Sequence, residues 1–282
     1  LLYLHQLNDR FSLVAGKINS VDFWSMFYPN VGRGLDGFMN LNSVAAGLPW
    51  LRFVQLSENG AGILAMKEGQ PQGAFVVFDP RNSSTDVGLS NAFDQRAAML
   101  GIWRFFTQWN GKPGSHLFAG GYSARRYTSL DDVDWLILPG QGLVAPQETG
   151  AWSLGYYFDQ VFWADPCNEA RKLQLFTGWS LSDGNPSFAR WNGFLSVEGF
   201  GLVHGREKDR TGVAYFYTGL SDDFRRLVSP LVNLQAVQGV ELYYNAEVTP
   251  WFHLTGDLQV VENGIETDDT AIILGLRGNM KF

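Results

Sequence analysis

Residues 239–264 read GVELYYNAEVTPWFHLTGDLQVVENG and residues 271–282 read AIILGLRGNMKF; with the few residues before 239, they hold three segments of alternating character. A β-strand sends successive side chains to opposite faces, so period two sorts each segment into two rows. Over 236–248, Val240, Leu242, Tyr244, Ala246 and Val248 alternate with Glu241, Tyr243, Asn245 and Glu247. Over 251–260, Phe252, Leu254, Leu258 and Val260 alternate with Trp251, His253, Thr255, Asp257 and Gln259. Over 270–282, Ile272, Leu274, Leu276, Met280 and Phe282 oppose Ala271, Arg277, Asn279 and Lys281. One row is greasy and the other wet. A segment that alternates up to its last residue needs a neighbour on both edges to fix its backbone, which a closed sheet supplies.

Composition narrows the class. Of the 282 residues, 15% are aromatic and 32 are glycine, which suits pleated strands better than helices. The formal charge of −7, with no basic cluster to offset it, argues against a nucleic-acid surface. The single cysteine, Cys167, has no partner for an internal disulfide and no nearby metal ligand. No stretch approaches the roughly 18 to 20 apolar residues of a membrane-spanning helix, a test that a β-barrel escapes. The chain does not open on a methionine-led leader, which says nothing about export.

Alternating segments recur near 1–8, 11–20, 61–67, 71–79, 97–108, 115–125, 150–163, 170–182, 191–203 and 208–219 as well, about thirteen strands in all, with no sustained helical period. The connections between them differ in length by turns. Those at 9–10, 68–70, 109–114, 164–169, 204–207 and 249–250 are short; those at 21–60, 80–96, 126–149, 183–190, 220–235 and 261–269 are longer. An outer-membrane barrel has short turns at one end and long loops at the other, whereas a sandwich mixes them. The wet row also carries aromatics and charges of both signs, and Trp103, Trp152, Trp163, Trp179 and Trp251 fall near strand ends, as in the aromatic girdles of such barrels. The expected fold is an all-β, antiparallel, up-and-down transmembrane β-barrel.

The stretch 239–264, followed by DTAIILGLRGNMKF, resembles the close of the carbohydrate-selective outer-membrane porin family (OprB-type): a Leu-Tyr-Tyr-Asn strand, a Thr-Pro-Trp turn, an Asp-Leu-Gln-Val strand and a final strand ending on phenylalanine. LYLHQLNDRFSLVAGKIN (2–19), VFDP (77–80) and GYSARRY (121–127) resemble it more loosely, so the likeness spans the chain. It implies a sixteen-stranded barrel, of which about thirteen strands are covered here. Strand parity agrees: bacterial barrels have even strand numbers with both termini at the periplasmic side, so further N-terminal strands are expected before Leu1. The chain is otherwise expected to be one porin domain over 1–282.

A sugar channel needs paired donors and acceptors for hydroxyls and aromatic surfaces for ring faces. The wet face supplies Arg104, Arg125, Asp159, Glu198, Glu241, Glu247, His253, Asp257, Arg277 and Lys281 as pore-lining candidates; the plainer alternative is that these charges only pair with one another in a wet lumen. The connection 21–60 is far longer than a turn requires. The resemblance places it at the third extracellular loop, which folds into the barrel and narrows it. Arg33, Asp36, Asn40, Asn42 and Arg52 are then the expected constriction contacts. Trp24, Phe27 and Tyr28 serve either as stacking surfaces or as anchors of the loop to the wall.

Little points to catalysis. GYSAR and GWSLS each miss a nucleophile elbow at the last position, and His5, His116, His204 and His253 are scattered. The function expected is passive, carbohydrate-selective diffusion of small sugars across a bacterial outer membrane, with no cofactor and no metal. The expected partners are mono- or disaccharides in the lumen and outer-membrane lipid and lipopolysaccharide, with homo-oligomerisation left open. A general diffusion porin is the alternative, and a soluble β-sandwich lectin or a glycosidase using Glu241 and Asp257 is the alternative of a different class.

Overall fold

The computed structural model describes residues 2–28, 36–85, 92–138, 140 and 142–281. Thirteen strands form one antiparallel sheet. They are β1 (Leu2–Asn8), β2 (Phe11–Asn19), β3 (Ser57–Lys67), β4 (Gln70–Phe78), β5 (Ala98–Trp109), β6 (Lys112–Thr128), β9 (Gln147–Asp165), β10 (Asn168–Ser182), β11 (Ala189–Phe200), β12 (Arg210–Leu220), β13 (Val237–Thr249), β14 (Phe252–Glu262) and β15 (Ala271–Met280). Each pairs with its predecessor and successor in this order, which is the up-and-down meander expected. A separate ribbon of β7 (Leu136–Leu138) and β8 (Gly142–Val144) lies in the 129–146 connection.

The short turns follow from local chemistry. Asn110 and Gly111 both adopt positive φ, 49° and 72°, as the two central residues of a type I′ hairpin must, and Asn-Gly is the pair that tolerates this best.

The buried face is the polar one. Glu241, Asn245 and Thr255 are fully buried, as are Ser153 and Asn192, while Leu274 is 80% and Leu276 is 76% exposed. Phe75, Trp103, Phe118, Leu154, Trp179, Leu195, Val240 and Leu242 are exposed as well. A soluble sandwich buries its greasy face. Here the greasy row faces out, toward what can only be an apolar solvent if the backbone and side chains are to be stable, and the wet row faces in.

The wet face curls around the connection between β2 and β3. That single segment touches Tyr157 on β9, Phe176 on β10, Tyr243 on β13, Gln259 on β14 and Arg277 on β15. It is not wholly irregular, as the sequence suggested: α1 (Ser20–Phe27) opens it, capped by Asn19, whose side chain accepts from the Asp22 N–H at 3.0 Å. Two 3-10 turns, Leu41–Ser43 and Leu48–Trp50, follow, and β3 begins at Ser57, so the connection is 20–56. A second short helix, α2 (Asp222–Val228), begins at Ser221 in another long connection. Two turns of helix are too few to show a 3.6-residue period in the sequence.

Candidate functional site

The two ends of segment 20–56 adjoin, the Ser20 N–H donating to the Leu56 carbonyl at 3.2 Å, and three groups of wall residues hold its described residues inside the lumen. The first is on β5, β6 and β9. Arg104 donates to the Phe27 carbonyl, to Ser115 Oγ at 2.7 Å and to Asp159 Oδ1 at 3.2 Å, and its guanidinium lies 4.6 Å from the Tyr28 ring centroid. Ser115 also donates to Asp159. Phe27 is fully buried, Trp24 packs 4.5 Å from Tyr157, and Tyr28 packs 4.8 Å from Phe176. These three aromatics therefore serve as wall anchors. Burial, with the Asp159 charge behind it, raises the Tyr28 phenol well above its ordinary pKa.

The second group lies on β11 to β15. Glu241 accepts from the Met39 and Asn40 N–H groups and from Ser43 Oγ. Asn40 Nδ2 donates to Gln259 Oε1 at 3.2 Å, and Arg277 donates to the Gly37 carbonyl at 2.9 Å. Asn42 donates its backbone N–H to Asn40 Oδ1 at 3.0 Å, which shapes the 3-10 turn. Phe38 meets Tyr243 edge-on at 4.7 Å, and Tyr243 Oη donates to Glu198, which Arg210 approaches at 3.6 Å. Gly212 makes room for this: a Cβ there would lie 2.5 Å from Tyr243 and 2.8 Å from Phe38. Asp257 accepts from Gln259 at 2.8 Å through one oxygen, while its other oxygen, like Arg277 Nε, is buried without a protein partner among the described residues.

At the short-turn end Asp36 accepts from Lys281 Nζ and from Asn279 Nδ2 at 2.9 Å. Burial would raise the Asp36 carboxyl, but these donors outweigh it and hold the carboxyl below its ordinary pKa. Glu247 and His253 sit nearby on β13 and β14, 3.7 Å apart, with Lys208 3.2 Å from Glu247. His253 also bonds Asn245 at 3.1 Å.

The third group is at the opposite end. Arg52 lies 4.8 Å from the Tyr127 ring centroid and Arg125 lies 5.5 Å from the same ring. Arg33 lies outside the described residues. The sequence reading thus collected residues from three separate places. It passed over Tyr243, Gln259, Ser115 and Gly212. The first two already stood on the wet rows of their strands and were findable there; nothing in the sequence marks the other two.

A family model described as "Carbohydrate-selective porin, OprB family" matches residues 1–282. The chain belongs to that family. As a carbohydrate-selective porin of the bacterial outer membrane it is a channel, and its apolar outer row and polar, loop-narrowed interior are what that role requires. Solved structures share the fold of this porin. The high-pH structure of Pseudomonas putida OprB superposes with a TM-score of 0.83 at 17% identity, covering 99% of this chain and 71% of that one. The low-pH structure of the same protein gives 0.56 at 14%, covering 99% and 64%. The outer membrane channel DcaP of Acinetobacter baumannii gives 0.54 at 14%, covering 97% and 74%. Comparison with curated proteins gives no match.

Proposed function

We propose that this porin passes neutral mono- and disaccharides one at a time through the space that segment 20–56 leaves in the lumen, each sugar contacting the lumen groups named above. The observation that carries the reading is the fastening of that segment to Arg104 on β5, Glu241 on β13 and Asn279 on β15, three separate places on one polar wall. A segment held so firmly sets a fixed aperture. Sugar hydroxyls exchange water for Asp, Glu, Arg and Asn groups at little net cost. Weak binding serves passage: a millimolar site corresponds to about 4 kcal/mol, and much tighter binding would slow exit. The Glu241 carboxylate is taken up by three loop donors, so it acts in this reading as an anchor. The exposed apolar row contacts outer-membrane lipid.

Single-channel conductance in a planar bilayer, titrated with glucose, maltose and a polyethylene glycol of similar radius, tests this. Saturable block by the sugars alone is expected. Equal, unsaturable effects of all three would make the protein a general diffusion pore and overturn the selective reading.

A further inference from the structure

At the long-connection end of the lumen a cavity of about 930 Å³ opens between segment 20–56 and β6. Five arginines line it, Arg52, Arg81, Arg96, Arg125 and Arg126, against one carboxylate, Asp94. This is a local excess in a chain whose 21 basic residues are outnumbered by 28 acidic ones. The fastening of these arginines is unusual. Arg96 donates to the Ala124 carbonyl at 3.1 Å, Arg125 to the Pro80 carbonyl at 3.1 Å and Arg52 to the Thr128 carbonyl at 3.4 Å. Neutral carbonyls orient a guanidinium without cancelling its charge. No carboxylate among the described residues comes within ion-pair distance of Arg52, Arg96, Arg125 or Arg126, whereas Arg81 is paired with Asp79 at 3.2 Å. Arg52 and Arg125 flank one ring, Tyr127, and each keeps a buried Nε without a hydrogen-bond partner.

The backbone is shaped to this end. Arg125, Arg126 and Tyr127 are consecutive, yet all three line the cavity, which a regular strand forbids because alternate residues face opposite ways. A bulge allows it: between Ser123 and Arg126 the register of β6 against β9 slips by one residue. Gathering like charges beside a low-dielectric wall is unfavourable until an anion joins them.

We infer that this cavity is a binding site for anionic sugars, polyhydroxylated chains that carry a carboxylate. The arginine forks match a carboxylate in geometry as well as charge. The amides of Gln55 and Gln147 in the same lining suit the hydroxyls. Burial depresses the pKa of Arg52 and the Arg125 charge adds to this, against the opposing pull of Tyr127 and Asp183.

The test is block of single-channel current by gluconate against glucose, with the full-length protein in a bilayer free of lipopolysaccharide. Glucose block alone tests the neutral-sugar reading on which this rests, so the two can fail separately. In 0.1 M salt gluconate is expected to block at about one tenth the concentration of glucose, with the advantage falling below about threefold in 1 M salt as screening shortens. In R52Q/R125Q the ratio of the two is expected to fall to about one. A wild-type ratio of one, or a ratio unchanged in the variant, would overturn the inference. If the variant does not assemble, the wild-type ratio and its salt dependence decide. Loss of the gluconate advantage on adding purified lipopolysaccharide would assign the arginines to a lipid headgroup and also overturn it.

Discussion

Asp36 and Lys281, 245 residues apart in sequence, form an ion pair at the short-turn end of the lumen, with Asn279 donating to the other carboxylate oxygen. The fold thereby ties segment 20–56 to Asn279 on β15 and to the residue just past that strand's end. Lys281 is about half exposed, so screening limits the pair to less than about 1 kcal/mol.

The pair predicts a pH response of known sign. The folded-state pKa of Asp36 is depressed, so its contribution is complete above the ordinary aspartate pKa of about 3.9 and is lost as pH falls through the lower folded value. Open-channel current noise is expected to rise below about pH 4 in the wild type. In D36N it should already be raised at pH 7 and change little on acidification. A D36N channel as quiet as wild type at pH 7 would show that the pair does not hold the segment.

Arg104 holds the segment more firmly, and its loss would strand Asp159, which is 8% exposed. R104A is expected to cost about 3 to 5 kcal/mol because it leaves a buried charge uncompensated. Its gel-shift melting temperature should fall and its conductance rise. In R104M/D159L the melting temperature should recover while the wide conductance remains, since the Phe27 carbonyl still lacks its donor.

Gly212 tests how tightly Phe38 is seated. A methyl group there would sit 2.5 Å from Tyr243 and 2.8 Å from Phe38, so G212A must push one of the rings aside. A loss of about 1 to 3 kcal/mol and a wider or noisier channel are expected. G256A meets open space and should be silent in both assays.

The inverted faces make the sharpest test of membrane placement. Leu274 points outward on β15 and Asn279 inward. L274R is expected to lose about 2 to 4 kcal/mol in lipid and to reduce the heat-modifiable form on gels. N279R should assemble. Equal tolerance of both would be the behaviour of a soluble sheet with water on each face.

The strand order was legible in the sequence because alternation recurs along the chain, and the two faces of β13, β14 and β15, with the Glu241 and Asp257 rows, needed nothing else. Length alone marked the 21–60 connection as special. Its attachments were not legible: no local pattern joins Asp36 to Lys281 or Phe27 to Arg104, since these contacts exist only once the sheet has curled. The bulge after Ser123 escaped for a related reason. ARRYT reads as an ordinary strand end until its register against β9 is known.

The reach of segment 20–56 to Gly37, Asn40 and Asp36's partners on β13, β14 and β15 has a consequence for biogenesis. These contacts join residues 219 to 243 positions apart, so they close long loops and are expected to form late. A nascent barrel therefore passes through a stage in which its wall is partly laid down but its aperture is still wide. The sieve is the final thing to be finished.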